Sequence, residues 1–239
     1  MIMEAEQSKY RHEYKYMCNA MERAVLKTRV RGMMRPDSHA DKNGAYRIRS
    51  LYFDTPEDAC FYENQAGVDV RDKYRIRIYD GNAERITLEK KSKNRQMTLK
   101  QSCPIDEMLC RRLMSGEPIR ITTDMTLQQK SLLSEMQGRC MRPVVIVEYL
   151  RFPFVEQNGN VRVTFDENIS SSNDISRFLE PELIFRPILQ KSMGVLEVKW
   201  DEFLPSYIKN HIQLESLQWS GFSKYYLCRQ YNIYGGIRI

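Results

Sequence analysis

Charged and apolar residues alternate along much of this chain. In residues 73–78, Lys73, Arg75 and Arg77 hold one parity, and Tyr74, Ile76 and Ile78 hold the other. A β-strand sends successive side chains to opposite faces, so this segment is predicted as a strand with one basic and one apolar face. The pattern recurs in the first strand, where Arg11, Glu13 and Lys15 oppose His12, Tyr14 and Tyr16. Arg85, Thr87, Glu89, Lys91 and Lys93 oppose Ile86 and Leu88, and Thr98, Lys100 and Ser102 share a face. Arg162, Thr164 and Asp166 oppose Val161, Val163 and Phe165, while Val195, Glu197 and Lys199 oppose Leu196, Val198 and Trp200.

Between these segments, local signals predict a few helices and turns. Asn19 caps a helix from Ala20 to about Met33. Arg35 to Gly44 is a polar loop, Tyr46 to Phe53 a strand, and Pro56 to Asn64 a short helix with proline in its first turn. Asp80-Gly81-Asn82 is a hairpin turn, and a strand covers Gln96 to Cys103. Helical spacing follows over Asp106 to Met114 and over Leu127 to Met141, the latter packed outside the sheet. Pro143 to Phe154 is a long β-branched run, turned at Asn158-Gly159-Asn160 into a strand from Val161 to Asp166. Ser170 to Asp174 is a loop, Val195 to Trp200 a strand, and Ser223 to Tyr231 a closing helix. These signals amount to about eight strands, with no internal repeat or linker, and the expectation is a single domain over 1–239.

Composition narrows the class. Hydrophobic residues make up 42% of the 239 positions and charged residues 28%, enough for a sizeable core and against extensive disorder. The net charge of +6 arises from 37 Lys+Arg against 31 Asp+Glu. So mild an excess suits a local concentration of cations better than a general nucleic-acid binder, and no nucleic acid is expected as partner. Cys18, Cys60, Cys103, Cys110, Cys140 and Cys228 form no CxxC pair or zinc spacing. With Glu4 and Glu6 where an apolar leader would begin, they are expected to be reduced, mostly buried thiols of a cytoplasmic protein. His12, His39 and His211 are scattered, which argues against a histidine metal site.

One strand with a charged face is ordinarily a solvated strand. Here arginine and lysine recur on nearly every strand, and a cation-lined barrel or tunnel accounts for that economically. Cations facing one another across a lumen repel at reduced dielectric; a bound polyanion removes the repulsion, with arginine forks and lysine point charges meeting phosphate oxygens. The interspersed carboxylates suit Mn²⁺ or Mg²⁺, which bridges carboxylate and phosphate oxygens. Glu197 is the first choice of ligand, with Glu13 and Glu89 as further candidates that could instead pair with a neighbouring cation.

The ordered motifs resemble the VTC-type polyphosphate polymerase domain, one of the triphosphate tunnel metalloenzymes, a superfamily that includes the CYTH phosphatases. The matching segments are residues 11–16 (RHEYKY), 50–55 (SLYFDT), 74–79 (YRIRIY), 88–91 (LEKK), 148–151 (EYLR), 162–166 (RVTFD), 195–199 (VLEVK) and 222–225 (FSKY). The resemblance implies an α+β fold: an eight-stranded antiparallel β-barrel or tunnel with helices packed on the outside. It implies transfer of the γ-phosphoryl group of ATP to polyphosphate, with Lys15, Arg75, Arg77 and Glu197 at the catalytic centre. Lys91, Lys100, Arg151 and Arg162 would contact phosphates, with Lys199 and Lys224 near the triphosphate or the chain exit. Any membrane-protein partner is not visible in the sequence. Arg11 stands where the CYTH ExExK signature needs a carboxylate, which leans away from those phosphatases. Glu148 and Arg151 have opposite parity, so a bulge intervenes or only one faces inward, and the resemblance favours Arg151 with Tyr149. Ser50 and Tyr52 would face in, leaving Arg47 and Arg49 on the other face. A triphosphatase or polyphosphatase of the same fold, and a non-catalytic polyphosphate or inositol-phosphate binding module, are the alternatives.

Overall fold

The computed structural model describes residues 10–95, 97–213, 217 and 219–235. The expectations placed on Gln96, Glu4 and Glu6 lie outside the described residues. Eight long strands dominate: β1 (Arg11–Cys18), β2 (Tyr46–Asp54), β3 (Val70–Tyr79), β4 (Asn82–Asn94), β5 (Met97–Ile105), β6 (Arg142–Glu156), β7 (Val161–Ser172) and β8 (Gly194–Trp200). Every pairing is antiparallel, and the order β1-β5-β4-β3-β2-β6-β7-β8 returns to β1, so the sheet closes into a ring. Two-residue pieces, Arg35–Pro36 on β6 and Arg186–Pro187 on β7, extend its edges.

Turn chemistry sets the register. At the β3–β4 hairpin, Asp80 (φ 53°) and Gly81 (φ 71°) both adopt left-handed backbone, the requirement of a tight two-residue hairpin. In β7 the pairing with β6 shifts by one residue at Asn168 (φ 53°), a bulge that turns Ile169 to the face Asp166 occupies. Pairing with β6 continues past the bulge, so β7 runs to Ser172. Ser170–Ser172, expected in a loop, is strand.

Six helices flank the ring: α1 (Ala20–Arg31), α2 (Ala59–Gln65), α3 (Glu107–Met114), α4 (Leu127–Gly138), α5 (Ser206–Ile212) and α6 (Lys224–Tyr234). Asn19 and Thr126 start α1 and α4 with reciprocal capping boxes, and Asp106 caps α3. Helix α2 begins three residues later than its proline suggested, because the buried Asp54 carboxylate accepts the backbone N–H groups of Thr55, Cys60 and Phe61 and so fixes where the turn starts. Helix α5, with little local signal of its own, is held by burial of Ile208 and Ile212 in the cluster that includes Leu26 and Val30 of α1.

The apolar parity of the strands faces outward and is covered. Ile76, Ile78, Ile86, Leu88 and Cys103 pack under α3 and α4, while Val161, Val163, Phe165, Leu196 and Val198 pack under α1 and α5. Burial of such aliphatic side chains contributes roughly 1.5–3 kcal/mol each, which fixes which face of each strand points inward. Helix α6 lies across one end of the ring. There its Tyr225 and Cys228 pack with inward-facing Tyr52, Val145, Val147, Tyr149 and Val195.

Candidate functional site

The inner parity is shared around the ring by register. Glu13 pairs with Lys199, Lys15 with Glu197, Glu197 with Thr164, and Arg151 with Asp166. On the other half Ser50 pairs with Arg77, Tyr52 with Arg75, Arg75 with Glu89, and Lys91 with both Lys73 and Lys100. The eleven strand residues singled out in the sequence therefore share one face of a closed sheet. Lys224 enters from the first turn of α6.

They form three contiguous groups. In the first, Glu13 lies 2.6 Å from Lys91 and 3.5 Å from Lys15 and Lys199, and Glu197 lies 2.7 Å from Lys199. The Glu13 and Glu197 carboxyl groups are within hydrogen-bond reach of each other. In the second, Arg151 forks onto Asp166 with two bonds of 2.7 Å and reaches Glu197 at 3.3 Å, while Lys224 meets Asp166 at 2.6 Å. In the third, Glu89 holds Arg75 at 2.7 Å, Arg77 at 3.7 Å and Lys100 at 3.8 Å. Arg162 stands at the rim opposite α6, bound to Asp37 at 2.5 Å and to the Tyr46 hydroxyl at 2.9 Å.

Electrostatics follow from this crowding. Burial alone would raise the carboxyls, but the cations outweigh it. Glu89 is held far below its ordinary value by Arg77, Arg75 and Lys100, Asp166 is lowered by Arg151 and Lys224, and Glu197 is well lowered by Lys199. Glu13 is lowered by Lys15 and Lys91. The lysines show the converse strain. Burial brings the Lys91 ammonium down to about 7, against the pull of Glu13 and with repulsion from Lys15 and Lys199. Burial also carries Lys73 well below its ordinary value, with Lys15, Arg71 and Lys91 adding to the effect.

Among the described residues no cluster of three or more metal-ligating side chains exists. The Glu13–Glu197 pair is nevertheless the donor set a hard divalent ion takes, since Mg²⁺ sites commonly combine one or two carboxylates with substrate phosphates. Two ionised carboxylates in contact repel, and a cation between them removes that cost. Glu89, by comparison, has no second carboxylate among its contacts, which among the described residues are Arg75, Arg77 and Lys100.

Several site residues escaped the sequence. Asp166 carries the arginine fork, and its shared parity with Arg162 and Thr164 was the available signal. Lys73, half-buried, donates to Asn64 of α2 (2.6 Å) and to Ser223 at the head of α6 (2.7 Å); it shares the parity of Arg75. Asp37 had no local signal, because a loop acid acquires its partner only when the ring closes. The outward assignment of Arg49 is observed. It is buried against Glu148 and donates to the carbonyls of Phe178, Glu180 and Pro181. Glu148 therefore faces out and Arg151 in, the second of the two options that their opposite parity left open and the one the resemblance favoured.

The VTC domain family matches residues 10–232. No curated protein matches the sequence. Among solved structures, HpAC1 from Hippeastrum, a proposed adenylyl cyclase with a dominant triphosphatase activity, is similar over 96% of this chain and 97% of that one, at 14% identity and a TM-score of 0.56. A proposed adenylate cyclase from Bacillus halodurans aligns over 86% and 87% of the two chains at 11% identity and a TM-score of 0.49. The Hippeastrum likeness establishes the fold: the antiparallel triphosphate tunnel.

Proposed function

The chain belongs to the VTC domain family, and from that premise we propose that it is a metal-dependent polyphosphate polymerase that moves the γ-phosphoryl group of ATP onto a polyphosphate chain inside the ring. The observation that carries this reading is the inward surplus of cations. Lys15, Lys73, Arg75, Arg77, Lys91, Lys100, Arg151, Lys199 and Lys224 face Glu13, Glu89, Asp166 and Glu197, nine against four. A closed ring with that imbalance is stabilised by a linear polyanion threaded along its axis.

In this reading the terminal oxygen of the acceptor chain attacks the γ-phosphorus, the bond from that phosphorus to the β–γ bridging oxygen breaks, and ADP leaves. Phosphoryl transfer of this kind rests on positioning and charge neutralisation rather than on a protein nucleophile. Arg75, Arg77 and Lys100 orient one end of the phosphate chain, with Glu89 holding the arginine side chains in place. Lys15, Lys91 and Lys199 neutralise the transferred group beside Glu13 and Glu197. Arg151 and Lys224, braced by Asp166, hold the segment toward α6, and Arg162 stands at the opposite mouth. Glu197 and Glu13 would hold Mn²⁺ or Mg²⁺, which would supply positive charge against the phosphate chain. Tyr52, Val147 and Tyr149 form a buried wall under α6. With water as acceptor the same groups would give a triphosphatase, the second reading, which the activity of the Hippeastrum protein supports. Tight binding without turnover would make the chain a polyphosphate or inositol-phosphate module. Arg11, occupied with Asp201 at 2.6 Å, stands where the phosphatase signature carries an acid and favours the polymerase.

Incubation of the protein with ATP and Mn²⁺, read for chain length on gels and for free phosphate, separates the readings. Growing chains are expected. Free phosphate without chains supports the triphosphatase, and neither product overturns both enzymatic readings. Glu197→Ala is expected to abolish metal-dependent turnover, and Arg75→Ala chiefly to weaken triphosphate binding. Among the described residues no helix is long and apolar enough to cross a membrane.

A further inference from the structure

Among the described residues, the buried polar groups without a hydrogen-bond partner include three side by side with the inner charges, the Ser50 hydroxyl, the Thr164 hydroxyl and the Arg77 Nε–H, and the Arg162 Nε–H at the rim. Leaving a buried donor unsatisfied costs about 1–3 kcal/mol, and each such group in a folded protein calls for an explanation. Two of these are neighbours. Ser50 on β2 and Arg77 on β3 are direct register partners, which places their Cβ atoms about 4.5–5.5 Å apart on one face.

Ser50 is an odd choice for packing alone. It is wholly buried, its other register partner is Val147, and Ile48 and Tyr52 flank it on the same face of β2. Alanine would fill the space without an unsatisfied hydroxyl. The two arginines of Arg75-Ile76-Arg77 also differ in what they have left to offer. Arg75 gives Nε and one terminal nitrogen to Glu89 and the other terminal nitrogen to the Tyr52 hydroxyl. Arg77 meets Glu89 at 3.7 Å through a terminal nitrogen and hydrogen-bonds the Tyr79 side chain, while its Nε–H has no partner.

We propose that Ser50 Oγ–H and Arg77 Nε–H together form a two-donor notch for a single phosphoryl oxygen of the polyanion, with Ser50 a binding residue of the tunnel. This rests on the reading of the ring as a polyanion tunnel and adds a neutral, directional contact to a wall of charges. Ammonium groups attract a polyphosphate chain at any register. A hydroxyl fixed on a strand beside a planar guanidinium edge accepts an oxygen at one position, and so sets where the chain stops relative to the Glu13–Glu197 carboxylates.

The test is calorimetric titration of the full chain with inorganic tripolyphosphate at several salt concentrations, for wild type, Ser50→Ala, Arg77→Met and the double variant. Ser50→Ala is expected to weaken binding about tenfold, the effect of one hydrogen bond to a charged group. Its salt dependence should be unchanged, since no charge is lost, and its ligand-free melting temperature equal to or above wild type. Arg77→Met should lower the salt slope by about one counterion. The two losses should fall short of additive, because both donors serve one oxygen. Wild-type affinity in Ser50→Ala, or full additivity, overturns the notch while the tunnel reading stands. A wild-type protein that does not bind tripolyphosphate overturns the tunnel reading and the notch with it.

Discussion

Glu89→Gln is the sharpest test of how the lumen is balanced. The substitution keeps side-chain shape and removes one negative charge at the meeting point of Arg75 (2.7 Å), Arg77 (3.7 Å) and Lys100 (3.8 Å). Breaking a buried charge set by removing one member costs about 3–5 kcal/mol. Glutamine still accepts a bond from Arg75, and Lys100 is 55% exposed, so the lower end applies. At about 2–4 °C per kcal/mol for a chain of this length, the ligand-free melting temperature should fall by about 6–12 °C. Tripolyphosphate supplies the missing counter-charge. The variant is therefore expected to bind it about tenfold tighter than wild type, returning about 1.4 kcal/mol of the deficit. Calorimetric melting with and without tripolyphosphate, in phosphate-free buffer, reads both quantities. The pH dependence has a definite sign. Glu89 is lowered from 4.5, so its contribution is present above that value and lost as pH falls through the lower folded value. The melting gap between wild type and variant should be flat from neutral pH to about 5.5 and close progressively below about 4.5. An unchanged ligand-free melting temperature combined with weaker tripolyphosphate binding would refute the reasoning that Glu89 braces the arginines.

Lys73→Met is expected to raise the melting temperature of the ligand-free protein. Burial depresses the Lys73 ammonium well below 10.5, so the lysine opposes folding at any pH below 10.5, most strongly once pH is under its folded value. The gain, about 1 kcal/mol near neutral pH, should vanish as pH approaches 10.5, and a loss of stability at pH 7 would contradict it. Gly159→Ala should destabilise by about 2 kcal/mol or more: Gly159 has φ of +72°, and a Cβ there presses on the Phe203 carbonyl oxygen. A drop in midpoint on urea denaturation with the slope unchanged is the expected signature.

Much of this architecture was legible locally. The alternation over Arg11 to Tyr16 lies within strand β1, and the Asp80-Gly81 turn and the Asn19 cap lie where their chemistry placed them. Elements set by distant contacts were not legible. The late start of α2 depends on the Asp54 carboxylate, the length of β7 on its partner β6, and the existence of α5 on the apolar surface of α1. The same division runs through the site. Which side chains share a face was readable from parity, whereas the partner of each was not.

Glu13 and Lys91 are 78 positions apart, and Arg162 and Asp37 are 125 apart, yet both pairs are in contact. The amino-acid sequence by itself determined that this chain makes strands with one apolar and one cationic face, because side-chain alternation is a property of the strand backbone and needs no partner. Only the tertiary structure decided that the cationic faces close on one axis, that α6 covers one end, and that Glu13 meets Glu197 while Glu89 meets arginines. Those outcomes depend on the order in which strands pair around the ring, and burial of the outer apolar faces under the helices drives that closure while being indifferent to which inner charges it brings together.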